Sequence, residues 1–207
     1  LKKLIMSSPN LVHMRNAREK LKNNWLTAFL VGITVLIPSF FSDILPELGI
    51  IDPDGIQPIS LSILSLIVAG PLALGLSIYV LNISRDNSPY YNNIFDGFKP
   101  LGKVLGVYFL TKLAVLTGII FFMVPGIILG MGLSMSYFIM IDKPELGVID
   151  TLKESWRIMK GNKTKFLGLL LRFVPWVILG LIFLVIGIIF VLPWMQVTSA
   201  LFYEEIK

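Results

Sequence analysis

The stretch MVPGIILGMGLSMSYFIMIDKPELGVIDTLKESWRIMKGNKTK, residues 123–165, joins a Pro-Gly step, an apolar run, a polar turn and a basic amphipathic segment. The apolar run is long enough to enter a bilayer core about 30 Å thick. In the segment after it, Ile149, Leu152, Trp156 and Met159 recur at helical spacing and make one apolar face. Asp150, Lys153, Glu154, Arg157 and Lys160 make the other, and Gly161 stands where a helix C-cap is expected. Membrane span followed by interfacial helix is therefore the unit on which the fold is read.

Composition agrees with that unit. The chain has 207 residues, 55% of them apolar and only 15% charged, with Lys and Arg in blocks between apolar runs. Its mean hydropathy is +0.80. A soluble domain of this size cannot hide several apolar runs of about 20 residues. With no Cys, disulfides, thiolate metal sites and Cys nucleophiles are excluded. The formal charge of +5 comes with no nucleic-acid-binding motif, and topological charge bias accounts for it. The lone His13 stands in a polar stretch and reads as a solvated or headgroup-level residue.

Outward from the central unit, six spans are expected, arranged as three hairpins in an all-α polytopic bundle. Residues 1–24 form a basic interfacial helix, with Ser8-Pro9 at its start and Leu11, Met14, Ala17 and Leu21 on its apolar side. There is no signal-peptide cleavage pattern, so the first span is expected to stay as an anchor. Hairpin 1 covers residues 25–83, with Trp25 at the interface, a Pro- and Asp-bearing loop at residues 42–60, and Pro71 expected to kink the second span. Hairpin 2 covers residues 84–141: a polar return at 84–100, a third span at 101–124, a break at Pro125-Gly126 and a fourth span. Residues 142–207 hold the amphipathic helix and hairpin 3. Its 38 or so apolar residues would make one helix about 57 Å long, so a split is expected near residues 187–193, a stretch that ends on the helix-breaking Pro193. Five spans with a re-entrant last segment is the other topology that fits.

Residues 1–24, 84–103 and 142–165 carry six, three and six Lys or Arg, and residues 42–60 carry none. The positive-inside rule then places both termini in the cytoplasm of a cell whose plasma membrane the chain spans. LKNNWLTAFL at Leu21, FKPLGKVLGVYFL at Phe98 and MKGNKTKFLGLLL at Met159 echo one another, and Gly75-Leu-Ser77 matches Gly132-Leu-Ser134. These matches read as three copies of an interfacial helix plus a hairpin.

VIDTLKESWRIMKGNKTKFLGLLL, residues 148–171, resembles the Ser-Trp-Arg and Lys-Gly-Asn element of the bacterial membrane-protein family called domain of unknown function 975. GPLALGLSIYVLN from Gly70, VPGII from Val124 and PWMQVTSALFYE from Pro193 extend the likeness along the chain. A looser similarity is to the membrane domain of some glycerophosphodiester phosphodiesterases. The resemblance implies a six-helix membrane protein and no established activity.

Lys112, nine residues beyond Lys103, is expected about 13 Å deep, near mid-bilayer. An ionisable residue there is a functional-site hypothesis by default, and no Asp or Glu lies in any expected span to pair with it. Two readings stand: an anionic ligand such as a lipid phosphate or a water-filled cavity, or else snorkelling to the interface or a shifted helix in which Lys112 sits shallower. Arg172 is shallower, and with Lys112 it would line a basic cleft unless it too snorkels. Trp156, Arg157 and Lys160 read as an interfacial patch for anionic inner-leaflet lipid or for a partner. Ser77, Asn82, Thr111, Thr117, Ser134 and Ser136 read as helix-packing hydrogen-bond groups, and the GxxxG from Gly126 as close packing within the bundle or a homo-oligomer contact. No catalytic constellation, cofactor motif or metal-ligand spacing is present. The sequence thus reads as a non-enzymatic accessory protein that binds lipid or a membrane partner. A small transporter or channel built on the broken helices Pro71, Pro125, Gly126 and Pro193 is the alternative.

Overall fold

A computed structural model of the chain describes residues 9–50, 56–182 and 186–207. These residues form helices and turns with no strand. Helix α1, Pro9–Leu21, buries Met14, Ala17 and Leu21 as its spacing predicts; Lys2, Lys3 and Ser8 lie outside the described residues. Helix α2, Trp25–Ser39, widens into a π-helical turn at Phe40–Ile44 and tightens again through Leu45–Glu47. Pro38 has no N–H to give the preceding turn, and the wider turn follows directly. The loop expected from residue 42 therefore begins later.

Helix α3, Ile56–Ser84, is one helix with Pro71 inside it. The polar return at 84–100 is not simply loop. Its Tyr91–Phe98 forms a 3₁₀ helix laid back along α3, with Ile94 fully buried. Two glycines allow this: a Cβ on Gly75 would sit 1.9 Å from the Ile94 carbonyl oxygen, and one on Gly97 would sit 2.0 Å from that of Pro71. Pro71 thus stands in a helix-packing seam rather than at a break.

Helix α4, Leu101–Phe121, and helix α5, Met123–Leu133, form a tight hairpin. Its break is Phe122, which is fully extended at φ −162°, ψ 139°. The predicted break at Pro125-Gly126 is corrected: Pro125 sits in the first turn of α5, where a missing N–H costs nothing. Gly126 lies against α4 instead, where a Cβ would meet Ile119 Cγ1 at 2.4 Å, and Gly118 faces it from the other helix. Close packing inside this bundle is what that GxxxG serves.

After a break at Met135, helix α6, Ser136–Asp142, completes the fourth long apolar segment. Helix α7, Val148–Met159, is amphipathic but rotated from the expected register. It buries Thr151, Ser155, Ile158 and Met159, while Ile149 is 60% and Trp156 38% exposed. Small side chains face inward because α7 approaches α5 closely enough for Ser155 Oγ to donate to the Gly132 carbonyl at 2.9 Å. Helices α8, Lys163–Leu171, and α9, Val174–Ile182, are separated by a turn at Arg172. Helix α10, Ile186–Ile206, carries Pro193 in its interior, so Pro193 is not the predicted break.

Among the described residues, five helical segments are long and apolar enough to cross a membrane: Trp25–Ile44, Ser60–Ser84, Leu101–Phe121, Met123–Asp142 and Lys163–Leu181. The expected sixth, α10, is not in that set. Packing is strongly polarised along these helices. The main core joins α1, the C-terminal parts of α3 and α10, and α6, with Tyr79, Phe202 and Tyr203 almost wholly buried. Towards the other end Leu36, Phe41, Leu64, Leu116 and Phe122 are exposed, a distribution that only an apolar solvent tolerates.

Candidate functional site

The polar chemistry of the molecule gathers at the basic end, where α3, α6 and α10 finish. Arg85, one residue past α3, donates from Nη2 to both oxygens of Asp142 at 2.6 and 2.7 Å, and from Nε to Glu204 Oε1 at 2.9 Å. Lys207 donates to Glu204 Oε1 at 2.9 Å and to Asp142 Oδ2 at 3.3 Å, and the Tyr203 hydroxyl reaches Asp142 Oδ2 at 3.1 Å. Burial alone would lower the Arg85 pKa, but its bonds to Asp142 and Glu204 raise it above the ordinary value. Two cations face two carboxylates and every charge is matched. This clasp binds three helix ends together and has no spare acid or base for chemistry.

A second cluster fixes α7. Glu154 accepts from Arg157 Nε and Nη2 at 2.6 and 2.7 Å and from Lys143 Nζ at 2.6 Å. The Arg157 and Lys143 bonds hold its carboxyl down at about 2. Helix α1 is held by His13 to Glu205, by Lys20 to Asp86, and by Trp194 Nε1 donating to the Met14 carbonyl at 2.7 Å.

The sequence-predicted residues fall into separate places. Trp156 lies over Gly132, where a Cβ would touch its ring at 2.3 Å, and Lys163 Nζ covers it 3.1 Å from the ring centroid. Arg157 is committed to Glu154. Lys160, Lys165, Arg18 and Lys22 have no ion-pair partner among the described residues, and all four are exposed. Arg172 caps α8, its backbone N–H donating to the Leu169 and Leu170 carbonyls. Lys112 is on the outward face of α4, its ammonium 5.6 Å from the Tyr108 ring centroid. Helix α4 packs on α5, α3 and α7, and α8, which Arg172 caps, packs on α5 and α1.

Three hollows lie near these groups or in the apolar part of the bundle. A polar hollow of about 680 Å³ lies between Asn23-Asn24 and Asp86–Tyr90. An apolar one of about 380 Å³ is walled by Ile37, Phe41, Leu61, Leu64 and Val68. A third of about 160 Å³ abuts the clasp at Asp142, Glu154 and Lys207. Neither Lys112 nor Arg172 lines any of them. Among the described residues no group of His, Asp or Glu is placed to hold a metal ion.

The clasp residues were not among the sequence candidates, yet a signal existed. SRD at 84–86, IDK at 141–143 and YEE at 203–205 each put a charge where a long apolar run ends.

An all-helical membrane bundle with a packed, charge-clasped end and a splayed apolar end is the class that this fold defines. Residues 114–207 match a family described as a protein of unknown function, DUF975, which supports the family read from the Ser-Trp-Arg and Lys-Gly-Asn element. No curated protein and no solved structure matches the chain.

Proposed function

We propose that this protein is a non-enzymatic accessory protein of the plasma membrane, with both termini cytoplasmic, whose basic rim engages anionic lipid of the inner leaflet. The supporting observation is the pairing pattern at the basic end. Asp142, Glu154 and Glu204 are engaged internally by Arg85, Lys143, Arg157 and Lys207, while Arg18, Lys22, Lys160 and Lys165 are left over among the described residues. Exposed Val12, Leu26, Ile149 and Leu167 lie on the same segments, so the rim offers cations and apolar side chains together. That combination is what an anionic interface selects, at about 1 kcal/mol per cation near the surface. The transporter alternative leans on broken helices, whereas Pro71 packs on the 3₁₀ helix and Pro125 sits in a first turn.

The test is mass spectrometry of the full chain extracted into native-lipid particles, beside a variant with Arg18, Lys22, Lys160 and Lys165 all changed to Gln. Enrichment of anionic over zwitterionic lipid in the wild type, lost in the variant and in high salt, is expected. Equal lipid composition in both samples would sink the reading.

A further inference from the structure

Helix α4 presents an unpartnered face with a cation at its centre. Val104, Val107 and Gly118 turn inward, whereas Phe109, Lys112, Leu113, Leu116 and Ile120 are exposed along one stripe. The helix has 21 residues, about 31 Å, long and apolar enough to cross the hydrocarbon layer, and Lys112 falls at its middle. At its start, Lys103 Nζ donates to the Pro144 carbonyl in the charged α6–α7 connection, which marks the basic interface. The Lys112 ammonium bends back only as far as the Tyr108 ring. Tyr108 is five residues from Lys103, so roughly 7 Å of apolar depth remains to that interface.

A cation at this depth calls for an anion, and among the described residues no carboxylate pairs with Lys112. No Asp or Glu occurs between Asp54 and Asp86, Asp96 and Asp142, or Glu154 and Glu204. A second copy would bring apolar residues or another Lys112 to the same face. A lipid phosphate stays at the headgroup level, above the remaining gap. Charges inside a bilayer characteristically pair with one another across helices, and the spacing of Phe109, Leu113, Leu116 and Ile120 is that of a stripe that packs on a single helix.

We propose that this face of α4 docks a transmembrane helix of another protein that carries an Asp or Glu near mid-membrane, paired with Lys112. The inference extends the accessory reading to a second surface, and because it rests on α4 alone the two fail separately.

The experiment places a photo-crosslinking residue at Leu113 or Leu116 of the full chain in its native membrane, with Leu179 of α9 as an exposed control. The expected result is an adduct from α4 and not from α9, with a protein whose crosslinked span contains an acidic residue. Lys112→Leu should lower its yield at least tenfold, Lys112→Arg should retain it, and neutralising the partner's acid should abolish it. Exchanging the charges, with Lys112→Asp here and the partner's acid changed to Lys, should restore it. Neutralisation on the partner side leaves this chain intact, so a poorly folding Lys112 variant does not blunt the test. Lipid adducts alone, equal yield from α4 and α9, a span without an acidic residue, or indifference to Lys112→Leu would each overturn the proposal and leave Lys112 a snorkelling residue.

Discussion

Glu154 shows how one side chain ties the amphipathic helix to the bundle. Its carboxyl is held at about 2, from an ordinary 4.5, first by Arg157 and then by Lys143. A lowered folded-state pKa means stability that is fully present above about pH 4.5 and lost as pH falls toward 2. Acidification through that window should loosen α7, read as increased proteolysis within residues 143–160. Glu154→Gln should give the loosened state at neutral pH and remove most of the acid transition. An unchanged acid profile in that variant would mean that another carboxylate controls α7. Of these contacts the sequence exposed only the i,i+3 spacing of Glu154 and Arg157; Lys143 lies across a connection whose geometry no periodicity encodes. Lys112 is the reverse case. Its position along the helix was legible from its distance to Lys103, but which way it faced depended on the rotation of α4, which Gly118 and Gly126 set by packing.

At the scale of elements, the long apolar helices were readable because hydropathy and length act locally, and α1 because Met14, Ala17 and Leu21 keep helical spacing. The errors came where tertiary packing overrides local propensity. Pro125 resembles a breaker but is harmless in a first turn, and Ser155 looks solvent-facing until α5 comes within hydrogen-bond range. The 3₁₀ helix is the clearest case. YNNIFDGF reads as a polar turn, yet it is drawn against α3 because Gly75 and Gly97 let two backbones touch. Gly75→Ala should therefore push Ile94 out of its buried position, at a cost of about 1–3 kcal/mol typical of an overpacked seam. Thermal unfolding in detergent measures the loss, and Gly102→Ala, with open space around it, serves as control. Equal melting temperatures for the two variants would show that the seam yields without strain.

Across the whole molecule, each interfacial segment packs on the second helix of a hairpin. The 3₁₀ helix lies on α3, α7 lies on α5 and α6 and also touches α4, and α1 lies on α10, which closes the series on itself. The repeated sequence pieces hinted at such units, but closure of the first segment onto the last helix joins residues some 180 positions apart, as Trp194 does to Met14. The clasp locks this ring by joining the ends of α3, α6 and α10. Its net worth lies less in the attraction than in the penalty for breaking it unevenly. Arg85→Gln strips the central cation from Asp142 and Glu204 while leaving both partly buried. It should cost about 2–3 kcal/mol, below the range for fully buried pairs because the site is partly solvated. Adding Asp142→Asn removes one orphaned charge and leaves Glu204 to Lys207, so the double variant should melt higher than Arg85→Gln alone. If the two losses instead add, Arg85 and Asp142 act independently, and the three helix ends are held by their apolar contacts rather than by the clasp.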